Sequence, residues 1–226
     1  MNGTLPVVAL GFLLGVRHAT DPDHVVAVAT IVSRQRSAVR AAIIGATWGV
    51  GHSITLFLVG GAIILFGLAV PPRLGLAAEF AVGTMLVLLG LSNIASRVDA
   101  EAPHRGSHDD SPAEHSHAHA RPFVVGIVHG LAGSAAVALL VLATIREPVL
   151  AAGYLLVFGV GTVAGMVVMT TLIALPLTYS SRRSADVGRA IRVASGVLSV
   201  AFGLFIAYRI AIVQGLFTGH PIWTPE

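Results

Sequence analysis

Six apolar stretches, at about 5–32, 41–69, 76–96, 122–145, 149–178 and 190–213, leave this chain one plausible kind of fold, a bundle of membrane helices. Each is long enough to cross roughly 30 Å of hydrocarbon. Backbone polar groups in a bilayer must be satisfied internally, which an α-helix does. The expected fold class is therefore all-α, a polytopic membrane protein with six transmembrane helices. Charged residues make up 11% of the 226 residues, far below the level of about 25% in soluble domains. There is no cysteine, which excludes a thiol relay, thiolate ligands and disulfides. The high pI of 10.2 comes from arginines alone, without lysine, placed in short connecting segments. They read as determinants of membrane topology, so no nucleic-acid partner is expected. The N-terminus lacks a charged n-region and a cleavage site, and no removable signal peptide is expected.

The first apolar stretch is interrupted by Arg17-His18-Ala19-Thr20-Asp21-Pro22-Asp23-His24. Each ionisable group at bilayer depth costs about 2.5 kcal/mol or more, so five of them call for a ligand or an ion path. Pro22 supplies the geometry. Thr20 or Asp21 can cap a new helix with Pro22 at its first position, which leaves the span as two half-helices. On an unbroken helix, His18, Asp23 and His24 would point in three directions. With a break at Pro22 they can meet. Imidazole nitrogen with carboxylate oxygen suits borderline divalent metals, nickel, cobalt and zinc among them. The competing reading is a polar kink that closes its own hydrogen bonds.

His18-x4-Asp23-His24, preceded by Arg17 and followed by a valine-rich half-helix, resembles the signature of the nickel/cobalt transporter (NiCoT) family. Gly51-His52-Ser53 on the next span resembles that family's second patch. The likeness is closest to the short, six-span members often labelled urease-accessory nickel permeases, and it is specific at residues 15–33 and 45–57. Pro22 stands where the family usually has alanine, and the acidic motifs of its later spans are absent. The resemblance implies a transition-metal permease with His18, Asp23 and His24 at its site.

The two halves repeat each other. Trp48-Gly49-Val50-Gly51-His52 matches Phe158-Gly159-Val160-Gly161-Thr162 at an offset of 110 residues. Ala81-Val82-Gly83 with Gly90-Leu91 matches Ala194-Ser195-Gly196 with Gly203-Leu204 at 113. Gly15-Val16-Arg17-His18 matches Gly126-Ile127-Val128-His129 more weakly, at 111. Units of three spans are inserted upside down relative to one another, so the expected plan is an inverted 3+3 repeat. Residues 1–97 form its first half and 122–226 its second, with a His-rich linker over 98–121.

Ten arginines (34, 36, 40, 97, 105, 121, 182, 183, 189 and 192) fall on one side of this topology, against Arg73 and Arg146 on the other. That side should be cytoplasmic, with both termini outside. The linker carries His104, His108, His115, His117 and His119 among Asp109, Asp110 and Glu114, and with no apolar period it is expected to be disordered. It reads equally as a weak metal-gathering tract or a solvated tether.

His52 lies among Gly45, Gly49 and Gly51, small residues that let helices approach, and so reads as a metal ligand or its hydrogen-bonding partner. The alternative is a histidine bonded across helices. His129 opens a Gly130-x2-Gly133-Ser134 kink and reads as a metal contact or a satisfied buried histidine. Asp21 either caps the second half-helix or binds metal. Arg17 reads as a counter-ion to Asp21 or a snorkelling group, since guanidinium repels cations. Asn93, Thr170 and Thr171 could line a path, but are usually satisfied by neighbours.

The expected function is uptake of Ni2+, with Co2+ as an alternative cargo, through a multi-pass inner-membrane permease working by alternating access. No prosthetic group is expected, and a cytoplasmic metallochaperone is a candidate partner. No nucleophile with a base and an orienting group can be identified, and no P-loop is present, so neither an enzyme nor an ATPase is expected. Two rivals share the same residues: a metal exporter, and a non-transporting sensor or scaffold that presents the His-rich tract.

Overall fold

The computed structural model describes residues 4–35, 37–66, 71–95, 113–131, 144–145, 147–183, 185–218 and 221. Among the described residues, seven helices run in the order α1 (Thr4–His18), α2 (Pro22–Val32), α3 (Ala38–Phe66), α4 (Pro72–Ala95), α5 (Ala113–Gly130), α6 (Pro148–Arg183) and α7 (Ala185–Tyr208). A π-helical turn at Arg209–Val213 follows α7. Among the described residues there is no strand. The segments Ala38–Phe66, Pro72–Ala95, Pro148–Tyr179 and Asp186–Val213 are each long and apolar enough to cross a membrane. Large apolar side chains such as Leu58, Leu65, Leu88 and Phe205 face outward along them. An exterior of that kind fits hydrocarbon and would be costly in water.

The first apolar stretch is broken as its sequence requires. Helix α1 ends at His18 and α2 begins at Pro22, whose fixed φ and missing N–H suit a first helical position. Asp21 occupies the N-cap position with extended backbone, but its side chain makes no capping bond. The expected disorder of the linker does not extend to residues 113–121. Helix α5 already begins at Ala113, passes through Pro122 and continues into the fourth apolar stretch. Alanines 113, 118 and 120 favour helix, and extending an existing helix avoids the cost of nucleation. His104, His108, Asp109 and Asp110 lie outside the described residues, as do the side chains of residues 113–119 and the whole of Gly133 and Ser134.

Glycines set the helix crossings. Helix α1 meets α6 where Gly15 abuts the Phe158 carbonyl and Gly161 abuts the Phe12 carbonyl. Helix α5 meets α3 where Gly126 abuts the Trp48 carbonyl and Gly51 abuts the Phe123 carbonyl. Between α4 and α7, a Cβ on Gly203 would lie 2.6 Å from the Gly83 carbonyl, and one on Gly90 would lie 2.5 Å from the Gly196 carbonyl. No side chain larger than hydrogen fits at such contacts without moving a helix.

Helix α2 packs against α4, α6 and α7, and its buried Ala27, Val28 and Val32 share a core with Trp48, Leu86 and Met166. A polar clasp fixes its C-terminal end. Arg34 donates from Nε to Asn93 Oδ1 at 2.5 Å and from Nη2 to the Ser92 carbonyl. Asn93 Nδ2 reaches Ser33 Oγ at 2.9 Å, the Arg192 carbonyl at 3.1 Å and Ser195 Oγ at 3.1 Å. Burial lowers the Arg34 pKa from its ordinary value, and Arg192 and Arg121 nearby act in the same direction. Thr170 and Thr171 bond back to the carbonyls of Met166 and Val167 in their own helix.

Candidate metal centre

Four helices and one turn bring the site together. His18 ends α1, Asp21 lies in the turn, Asp23 and His24 open α2, His52 stands midway along α3, and His129 sits next to the end of α5. The break turns His24 back toward His18, and their ring centroids are 4.7 Å apart. The Gly51 and Gly126 contacts let α5 lie against α3, which places the His129 ring 4.2 Å from His24 and 6.3 Å from His52. His24, His52 and His129 have no solvent-exposed surface, and His18 is buried too.

Each carboxylate orients one or two imidazoles. Asp21 Oδ2 accepts from His18 Nδ1 at 2.8 Å. Asp23 Oδ1 accepts from the His24 backbone N–H at 3.0 Å and lies 3.1 Å from His24 Nδ1, while its Oδ2 lies 2.9 Å from His129 Nε2. A ring proton belongs on the nitrogen that faces a carboxylate, so the lone pairs fall on His18 Nε2, His24 Nε2 and His129 Nδ1. His18 Nε2 and His52 Nε2 are 2.9 Å apart. With His52 donating across this contact, its own lone pair falls on Nδ1.

Three of these ring nitrogens, His24 Nε2, His52 Nδ1 and His129 Nδ1, are buried without a hydrogen-bond partner. A buried polar atom left unsatisfied costs about 1–3 kcal/mol, and clustered orphans of one chemical type point to something that binds them. Carboxylates that hold the far nitrogen of an imidazole are the usual support of a metal-ligating histidine. One donor atom from each of His18, His24 and His52 lies within 4.8 Å of the others, and the same is true of Asp23, His24 and His129.

All six residues singled out in the sequence, His18, Asp21, Asp23, His24, His52 and His129, thus lie at one locus. Arg17 is exposed, and the carboxylate of Asp21 pairs with His18 instead of Arg17. Trp48 is an addition to the set. It stacks on His24 with centroids 5.7 Å apart and planes 7° from parallel, and its Nε1 is buried without a partner. Its position one helical turn before His52 was the available signal.

A bundle of apolar helices around a buried histidine–aspartate cluster defines the class: a helical membrane protein with a polar centre. The chain is 37% identical to the urease accessory protein UreH of Bacillus sp. (strain TB-90) over 221 residues, which covers 94% of this chain and 95% of that one. It belongs to the UreH family. Two proteins of Arabidopsis thaliana are also similar. Chloroplast protein FOR GROWTH AND FERTILITY 2 is 27% identical over 94% of this chain, and FOR GROWTH AND FERTILITY 1 is 29% identical over 73% of it. The matched regions cover 57% and 48% of those two longer proteins. No family model and no solved structure matches the chain.

Proposed function

We propose that this protein is a permease that carries Ni2+, and Co2+ as a second cargo, into the cell across the inner membrane. The observation that carries this reading is the set of buried imidazoles with orphaned nitrogens, held in place by Asp21 and Asp23 around a broken helix. Such helices are where secondary transporters hold ions. Imidazole nitrogen together with carboxylate oxygen suits borderline divalent ions, Ni2+ and Co2+ among them. The name of the UreH relative, a urease accessory protein, agrees with the nickel-permease role that the signature around His18 implies.

The moving parts in this reading are two inverted three-span repeats. The glycine crossings support them, because the pairs between α1 and α6 recur between α5 and α3 at equal sequence offsets. The pair Gly83 and Gly203 likewise recurs as Gly196 and Gly90. The ion sits at the repeat interface while the repeats rock about it. With the arginine-rich side in the cytoplasm, a negative interior contributes about 2.3 kcal/mol per charge per 100 mV toward uptake, twice that for a divalent ion.

The test is accumulation of radiolabelled Ni2+ in cells expressing the wild type or His18→Ala, with unlabelled Co2+ and Zn2+ as competitors. The wild type should raise accumulation, His18→Ala should return it to background, and Co2+ should compete better than Zn2+. Accumulation below background would show export instead. No change, with the protein present in the membrane, would remove transport altogether.

A further inference from the structure

The buried donors do not form one shell. Among the described residues, those whose ligating atoms lie mutually within 4.8 Å fall into two groups of three, His18–His24–His52 and Asp23–His24–His129, with His24 in both. The outer members His52 and His129 have ring centroids 6.3 Å apart. The groups also differ in charge. One offers three imidazoles and the other includes a carboxylate, both suited to a borderline divalent ion.

His24 has two distinct faces. Its Nδ1 lies 3.1 Å from Asp23 Oδ1, and its Nε2 is buried with no hydrogen-bond partner. A neutral imidazole has a single lone pair, on one nitrogen or the other, so it can hold one ion at a time. With the proton on Nδ1, the ring donates to Asp23 and offers Nε2. With the proton on Nε2, it offers Nδ1 on the side of Asp23 and His129.

We propose that the divalent cation has two alternative positions, a three-histidine position at His18, His24 and His52 and a carboxylate position at Asp23, His24 and His129. His24, common to both sets, is the ligand that the two positions share as the ion passes from one to the other. This rests on the metal-permease reading above and deepens it. The short distance between the positions makes the transfer a ligand exchange, with His24 as the shared ligand and without release into the hydrocarbon. Trp48 lies nearly parallel to the His24 ring, with centroids 5.7 Å apart.

The test uses the full chain in detergent, with Co2+ as a spectroscopic probe and equilibrium dialysis for stoichiometry. The wild type should bind one Co2+ per chain. His52→Asn and His129→Asn should each still bind one, about 10–100-fold more weakly, with visible spectra that differ because one retains the carboxylate set and the other the three-histidine set. His129→Asn keeps a donor for Asp23, and His52→Gln and His129→Gln provide second variants should either asparagine variant fail to fold. The double variant and His24→Asn should both lose binding. In cells, each single variant should lose Ni2+ accumulation although it still binds metal. A single variant that loses Co2+ as completely as the double, two ions bound per wild-type chain, or identical spectra for the two single variants would each overturn the two-position proposal while leaving a one-site permease intact. A wild type that neither binds Co2+ nor accumulates Ni2+ would overturn the permease reading as well.

Discussion

Two polar clusters lie at opposite ends of α2, and they close their hydrogen bonds to different degrees. At the C-terminal end, Asn93 Oδ1 accepts from Arg34, and its Nδ2 faces Ser33, Ser195 and the Arg192 carbonyl. Every polar atom of that amide is satisfied. At the N-terminal end, His24, His52 and His129 each retain a nitrogen with no partner. A closed network fixes the backbone around it, whereas an open one keeps free donors available to a ligand. The same half-helix is thus anchored to α4 and α7 at one end and holds ligating groups at the other. The contrast separates stability from function and can be tested by mutating each end.

The largest effect should come from the open cluster. His24→Leu removes the residue common to both groups of donors, and Ni2+ accumulation should fall at least a hundredfold. Thermal stability should hold or rise, because an apolar side chain of similar volume replaces a buried ring with an orphaned nitrogen. A second readout is the stabilisation by Ni2+. At a hundred times its dissociation constant, the ion should stabilise the wild type by about 2.7 kcal/mol and His24→Leu not at all. A large loss of stability in His24→Leu without metal would mean that the histidine cluster is a structural network like that of Asn93.

Asn93→Leu should show the reverse pattern. Arg34 and Ser33 each lose one contact while keeping those to the Ser92 and Thr30 carbonyls, at a cost of about 1 kcal/mol, measured as a lower unfolding midpoint in detergent. Stabilisation by Ni2+ should be retained, because no atom of the metal centre bonds to Asn93. Loss of metal binding in this variant would show that the ends of α2 are coupled through the helix.

How far the sequence foretold these clusters depends on the kind of signal. The broken span was legible because proline and charge in an apolar run leave few alternatives, and α1 and α2 meet around Pro22 as expected. The glycine matches, read in the sequence as marks of a repeat, fall at close helix crossings, since a missing Cβ lets a backbone come near. The early start of α5 at Ala113 was hidden, because a polar run of histidine and alanine lacks the apolar period that marks a helix and owes its order to the helix that follows. Asp23 holding both His24 and His129 could not be read either, because it joins residues 106 positions apart. Asn93 looked like any single polar group in a helix. Only the arrangement of α2, α4 and α7 makes it a node.

The smallest effect sharpens the comparison most. Asn93 Nδ2 carries two hydrogens and faces three acceptors, Ser33 Oγ, Ser195 Oγ and the Arg192 carbonyl. Removing one acceptor still leaves one for each hydrogen. Ser195→Ala should therefore cost no more than about 0.6 kcal/mol, the average for a hydrogen bond between membrane helices. Ser33→Ala should cost as little through this contact. Together they leave two hydrogens facing the Arg192 carbonyl alone, and one of them becomes a buried orphan. The double variant should then lose more than the sum of the two, by about 1 kcal/mol or more, in a double-mutant cycle followed by thermal unfolding. Strict additivity would mean that the clasp has slack its geometry does not reveal, and that it is less different from the open histidine cluster than the orphan atoms imply.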